Sequence, residues 1–444
     1  MSNKFQTPRG TRDFMPGEML RREYVFSVVR KVFERFGFQP LETPAFESWE
    51  LLSAKGTGGE AVKDEIYYFK DKSGRGMGLR FDLTVPLARV VASNPQLAKP
   101  FKRYQIGRVW RYDKPQAGRF REFWQADVDI VGSASMAAEA ECIACFAACL
   151  DELGFRDFEI RLNSRRLLNG MVDAAGIDKK KMPAVLRGLD KLEKQGQSVV
   201  GKELKKAGVK PKQIRSLMEM ITISGRPEEA ISKARSLLEG FLEAKKGLDE
   251  LEEIIRLSEA YGTASRITID LSLVRGLDYY TGPIYEIKAQ SKSGKNVGSI
   301  AGCGRYDNLI ELYGGSPTPA TGGSLGIERI YEIMEEEGMF KSGPASQINK
   351  TKVFVAAATD DNKLKRAAIE TSQLLRQAGI PTETDVMARK LKQLFDYVGK
   401  AGIPYMIIIG EKELKTGRLT LRDLNKREQK SMGLPNILKY LKTA

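Results

Sequence analysis

The chain has 444 residues, 42% of them hydrophobic and 29% charged, a balance that excludes a disordered polymer and predicts a globular protein of two or three domains. No run of about 18 apolar residues occurs, and the N-terminal stretch lacks the basic-then-apolar layout of a signal peptide, so no membrane association and a cytoplasmic location are expected. The net charge is +15, and the segment 350–444 holds 19 Lys and Arg against 10 Asp and Glu, which points it toward a polyanion such as nucleic acid, a solvated basic surface being the alternative.

In chain order, residues 18–37 carry apolar side chains at helical spacing and stop at Gly37. GLRFDLTVPLARVVAS reads as a strand running into a helix, with the break at Pro86. KPFKRYQIGRVWRYD and REFWQADVDIVG alternate as two strands around the turn-rich KPQAGR, which predicts an antiparallel hairpin with a long basic loop. A helix over 137–153 and a strand at FEIRLN follow. Residues 168–262 are dominated by Lys, Glu, Leu and Ala and predict an all-helical module set into a β-rich domain. Strands return at ASRITIDLSL, GPIYEIKAQ and SIAGCGRYDNLI. Residues 339–349 read as a polar linker. From 350 the βαβα rhythm predicts a compact α/β domain with a mixed sheet.

The chain contains no histidine. That removes the side chain most used for proton transfer near neutral pH and the commonest metal ligand. Cys142, Cys145 and Cys149 have a spacing that could suggest zinc, but their alanine-rich helical setting favours buried packing.

Four segments are rich in Arg and Gly. They are Arg111 to Phe123 on the hairpin, GGSLGIER ending at Arg329, Val274 to Gly282, and Gly302 to Asp307. Arginines there can grip phosphate oxygens in a forked geometry, an aromatic can stack a base, and glycines allow close backbone approach. Neither a GxxxxGK[ST] nor a GxGxxG after a strand is present. These segments predict a nucleotide-phosphate site built on a β-sheet, against the alternative of arginine-rich surface turns. Asp82, Thr84, Gln125 and Asp129 form a second, polar group. Positions 125, 127 and 129 share one strand face, where carboxylates could hold a cationic small ligand or magnesium. Asp127 is expected to cap or salt-bridge within the sheet instead.

These residues resemble the histidyl-tRNA synthetase family of class II aminoacyl-tRNA synthetases over nearly the whole chain. The hairpin resembles motif 2, GSLGIER motif 3, and the region around Pro44 the dimer-forming motif 1. Arg275 to Gly282 and the GRYD at 304–307 resemble the two histidine-specific segments, and PRGTRDF at 8–14 resembles the family N-terminus. The resemblance implies an α/β multidomain chain: an antiparallel-sheet catalytic core in two parts, 1–167 and 263–338, a helical insertion at 168–262, and an anticodon-binding domain at 350–444. It implies a homodimer that uses ATP with Mg2+ to join L-histidine to histidine tRNA. Arg111 would hold the α-phosphate, Arg119 would approach the terminal phosphates, Phe123 would stack on adenine, and Arg329 would lie along the ATP. Arg275 would reach the α-phosphate from another side. Asp82, Thr84 and Gln125 would hold the ammonium group. Asp129 and Tyr280 would take the imidazole nitrogens, with Tyr279 beside them. Asp82 and Asp129 are shorter than the family's glutamates, Asp113 sits where a glutamate often contacts adenine, and Cys303-Gly304 replaces Gly-Gly. A synthetase-like regulatory subunit of histidine biosynthesis is the rival, but it lacks the anticodon-binding domain and usually loses the catalytic arginine. A class II synthetase for another amino acid is disfavoured by RGLDYYTG. A histidine-free enzyme of this kind would not depend on its own product for its synthesis.

Overall fold

The structure, a computed structural model, describes residues 5–54, 64–113, 119–275, 279–289, 298–346 and 348–443. Two units form: one holds the residues up to Asp13 and Val25–Met339, the other Phe14–Tyr24 and the chain from Phe340. The sequence reading placed all of 1–167 in the first part of the core. Phe14–Tyr24 instead belongs with the C-terminal unit, where the Arg21 guanidinium lies 5.6 Å over the Phe340 ring. In the stretch read as a polar linker, Phe340 and Ala345 are buried, and Gly343–Ser346 forms a 3-10 turn.

In the first unit, β1 (Gln39–Pro40) is followed by β2 (Phe46–Ser48), β3 (Tyr68–Lys70) and β4 (Gly76–Leu79). The last three make a small sheet in the order β2-β4-β3. Pro86 does not break the next helix, Thr84–Ser93. It sits in the first turn, where an N–H would have no intrahelical partner, and Asp82 caps the same turn by accepting from Val85 N at 3.0 Å.

The main sheet continues with β5 (Phe101–Trp110), β6 (Glu122–Val131), β7 (Phe158–Ser164), β8 (Ser224–Gly225), β9 (Ile267–Asp270), β10 (Pro283–Ala289), β11 (Ala301–Arg305) and β12 (Ala320–Gly326). Among the described residues its order is β1-β5-β6-β12-β11-β10-β7-β9-β8. The pairs β1/β5 and β7/β9 are parallel and the remaining pairs antiparallel. Side chains alternate faces along each strand. On β5 and β6 the even positions meet helices: Tyr104 contacts Phe33 and Trp124 contacts Phe26, with ring centroids 5.7 and 4.8 Å apart. The odd positions 103, 105, 107 and 125, 127, 129 lie on the opposite face and carry the site.

The stretch 168–262 departs from an all-helical module, because β8 inside it pairs with β9. Its last helix, Leu242–Ala260, also packs on Arg165–Ala174 at near backbone contact. A Cβ at Gly170 would lie 2.5 Å from the Ala244 Cβ, and one at Gly247 2.7 Å from Leu167 N. The three helix cysteines are buried in Ala137–Leu153.

The second unit holds β13 (Val353–Ala357), β14 (Thr382–Thr384), β15 (Tyr405–Ile409), β16 (Arg418–Asp423) and β17 (Glu428–Gly433), in the order β14-β13-β15-β16-β17. The first three are parallel and the last two antiparallel. The strand β13 is buried on both faces: Val353 and Val355 point into one core, Phe354 and Ala356 into another, as the continuous apolar run requires.

Candidate active site

The ten-residue strands β5 and β6 pair from Phe101↔Val131 to Trp110↔Glu122. Beyond their ends opens a cavity of about 190 Å³ lined by Arg111, Arg119, Phe123, Arg275 and Arg329, with Gln125 at its floor. Residues 114–118 of the predicted basic loop, and Gly276–Asp278 of RGLDYY, lie outside the described residues.

Arg111 is held by its Nε, which donates to the Phe81 carbonyl at 2.9 Å, and its guanidinium stands 5.3 Å from the Phe123 ring. Arg329, the third residue of the helix Ile327–Glu336, donates to the Ser299 carbonyl. Burial, then the neighbouring Arg119 and Arg275 guanidiniums, lower the Arg329 pKa from its ordinary value. Burial works against the charge on Arg275 too, but Glu286 and Tyr280 outweigh it and the pKa rises. Arg275 Nη1 lies 2.7 Å from Glu286 Oε1, and Ser299 Oγ donates to the other Glu286 oxygen. These arginines, with Arg119, converge on one cavity, which suits a polyanionic ligand.

Glycines make room for these groups. A Cβ at Gly302 would stand 2.1 Å from Arg275 Nη2, one at Gly304 2.6 Å from the Tyr280 ring, and one at Gly322 2.2 Å from Asp129 Oδ1. The run ATGGSLG carries no β-strand signal, yet it forms β12 in mid-sheet because neighbouring side chains fill the space its own would occupy. Cys303 faces the opposite side, buried against Gly323.

The second polar group lies on the same face as the cavity floor. Asp82, Asp127 and Asp129 are all buried. Burial pushes Asp82 up to about 6 and Asp127 up to about 7, against the pull of neighbouring arginines. It also raises Asp129, against the pull of Arg103. Asp129 Oδ1 accepts from the Tyr306 hydroxyl, and Oδ2 lies 2.6 Å from Arg103 Nη2. Gln125 Nε2 donates to Ser324 Oγ at 3.0 Å. Among the described residues, Asp82 Oδ2, Asp127 Oδ1 and Gln125 Oε1 accept no hydrogen bond. Buried acceptors without donors are costly, so the floor is built for a ligand rich in N–H groups. Asp127 therefore does not cap or salt-bridge as expected; Ser324 hydrogen-bonds its side chain and one oxygen stays open.

Tyr279 and Tyr280 lie over this floor, with ring centroids 4.9 Å apart. Thr84 hydrogen-bonds Tyr279, and burial pushes Tyr280 up to about 12. The GRYD segment splits between faces. Tyr306 reaches Asp129, but Arg305 turns away to ion-pair with buried Glu139 at 2.7 Å and is structural. Sequence reasoning missed Arg103, Glu286 and Arg12. Arg12 stacks 3.5 Å over Phe120 and ion-pairs with Glu328. Arg103 was legible only through the hairpin register, which sets it opposite Asp129.

The family model described as Histidyl-tRNA synthetase matches residues 10–330, and that described as Anticodon binding domain matches 352–444. The chain belongs to the histidyl-tRNA synthetase family. It is 42% identical to the histidine–tRNA ligase of Aeropyrum pernix over 97% of this chain and 96% of that one. It is 40% identical to that of Thermococcus kodakarensis, over 96% and 95%. The crystal structure of histidyl-tRNA synthetase from Nostoc sp. PCC 7120 superposes with a TM-score of 0.84 at 31% identity, covering 100% of both chains. Arg111, Arg119, Phe123, Gln125, Arg275 and Arg329 meet in one cavity of this family's fold, and Asp82, Thr84, Asp129, Tyr279 and Tyr280 gather around the adjoining floor.

Proposed function

We propose that this chain activates L-histidine with ATP and transfers the histidyl group to histidine tRNA. The observation that carries this reading is the junction of an arginine-lined cavity with a floor of unpartnered buried acceptors. Histidine offers that floor an ammonium group and a ring N–H, and ATP offers the arginines three phosphates.

Asp82, Thr84 and Gln125 hold the ammonium, and Asp129 and Tyr280 take the imidazole nitrogens with Tyr279 packed beside them. Phe123 stacks the adenine, while Arg111, Arg119, Arg329 and Arg275 hold the phosphates. The histidine carboxylate is already ionised, so its attack on the α-phosphate needs no protein base. Negative charge builds at that phosphorus, and Arg111 and Arg275 stabilise it from fixed positions. Diphosphate leaves toward Arg119 and Arg329. In the second step a ribose hydroxyl of the tRNA attacks the adenylate carbonyl, AMP leaves, and the hydroxyl proton passes to a phosphate oxygen. Magnesium, bound with the ATP phosphates that Arg111, Arg119 and Arg329 hold, would supply further screening of their negative charge.

The match of 352–444 to an anticodon-binding domain and its basic charge support the tRNA as partner. Phe46, Tyr68 and Phe69 are exposed on the small sheet, next to the segment around Pro44. An apolar patch of this kind supports a homodimer closed through that surface. No described helix is long and apolar enough to cross a membrane, and a translation enzyme of this reading works in the cytoplasm. ATP–diphosphate exchange tests the proposal: histidine alone among the amino acids drives exchange, and exchange driven by another amino acid, or by none, refutes it.

A further inference from the structure

Arg103 is fully buried, with no exposed side-chain surface. It lies at the odd face of β5, directly across from Asp129 on β6. One nitrogen, Nη2, reaches Asp129 Oδ2 at 2.6 Å and donates to the Leu83 carbonyl at 3.1 Å. Leu83 follows Asp82, whose Oδ1 caps the next helix through Val85 N. A single guanidinium therefore joins the Asp129 carboxylate directly to the backbone of the turn that carries Asp82. Its Nε and Nη1 donate to no described residue, so its charge acts on the acids around it.

Three carboxylates, those of Asp82, Asp127 and Asp129, share this dry floor. The charged and titratable groups that act on them are Arg103 from β5, Arg111 past its end, Tyr306 after β11, Tyr279 and Tyr313, with Cys303 of β11 and Cys142 of the helix Ala137–Leu153 also nearby. Arg103 is the cation felt by all three. Buried like charges cannot all stay ionised without a counter-charge. Arg103 is the counter-charge that favours the ionised, hydrogen-bond-accepting form of Asp129.

We infer that Arg103 is a positioning residue for histidine recognition, keeping Asp129 ionised and fixing the separation between the ammonium-binding and imidazole-binding carboxylates. This rests on the proposed function, since it takes histidine as the ligand of the floor. Arg103 touches neither substrate nor ATP in this assignment; it acts through Asp129 and the backbone beside Asp82, with Asp127 adding negative charge as it ionises around pH 7.

The test uses the full chain with Arg103→Met, Asp127→Asn and the double variant. In Arg103→Met the KM for histidine rises about tenfold or more at pH 7, the KM for ATP stays near wild type, and the pH profile of the histidine KM moves to higher pH. The double variant, which removes the guanidinium together with the carboxyl that repels Asp129 once it ionises, moves the profile back toward wild type. Asp127→Asn alone moves it to lower pH, and this arm stands even if Arg103→Met does not fold. A wild-type profile in Arg103→Met, an equal rise in both KM values, or no shift in Asp127→Asn overturns the assignment. Because the chain has no histidine, every imidazole signal in a ¹⁵N spectrum with labelled histidine comes from the ligand. The wild-type spectrum separates the two claims. No bound histidine there refutes the proposed function, whereas a bound signal identical in wild type and Arg103→Met refutes only the role of Arg103.

Discussion

Arg275 stands where a side chain at Gly302 would be. Its guanidinium occupies the space that a Cβ at position 302 would fill, with Nη2 at 2.1 Å from that point, while Glu286 holds Nη1 at 2.7 Å. The missing side chain at 302 and the carboxylate at 286 together set where the arginine points.

Replacing Gly302 with Ala pushes the far end of a flexible arginine and leaves the backbone of β11 undisturbed. The fold is expected to survive, read as an unchanged far-ultraviolet circular dichroism spectrum, while histidine-dependent exchange falls. Arg275→Ala is expected to lower exchange by about 10² to 10³. Near-normal exchange in Arg275→Ala would remove Arg275 from the reaction; near-normal exchange in Gly302→Ala would show that position 302 does not set where it points.

Asp127 gives a pH dependence of stability with a defined sign. Its folded pKa, about 7, exceeds its ordinary 3.8 because it is buried. Between those values the folded chain holds a proton that the unfolded chain has lost. Stability from this group is therefore full at low pH and declines as pH rises from about 4 toward 7, on the order of 1 kcal/mol for each pH unit crossed. Asp127→Asn removes the decline. The Tm difference between variant and wild type should grow in favour of the variant from pH 5 to about pH 7, and a difference that does not change with pH contradicts the account.

In the C-terminal unit, Val386 and Met387 are 89% and 66% exposed, and Lys390 and Lys392 are exposed just beyond them. Changing both lysines to Glu should weaken tRNA binding and flatten its salt dependence by about one unit of slope per lost phosphate contact. Diphosphate exchange should stay at the wild-type rate. Loss of exchange, or an unchanged salt slope, would place the tRNA surface elsewhere.

A message with no histidine codon is translated without charged histidine tRNA. During histidine starvation, ribosome occupancy on this message should fall less than on histidine-containing messages of similar length. An equal fall would contradict that expectation.

The hairpin carrying the site was legible because its apolar positions alternate and its turn is rich in Pro and Gly. β12 was not, since a run such as ATGGSLG owes its strand form to Asp129 and Cys303 beside it. Arg103 was missed for a related reason. A lone arginine in an alternating strand is ambiguous until pairing sets it opposite Asp129. Arg305 misled in the other direction: its motif marks the site, but strand alternation turns the side chain toward Glu139. Asp127 looked like a sheet-internal partner because the residue type alone does not reveal which of its oxygens is left open.

The central claim is that this floor and cavity select histidine for attachment to tRNA. Incubating the chain with ATP, magnesium, histidine tRNA and each labelled amino acid in turn tests it most directly. Histidine alone should become attached to the tRNA; attachment of a different amino acid, or of none, would contradict the account.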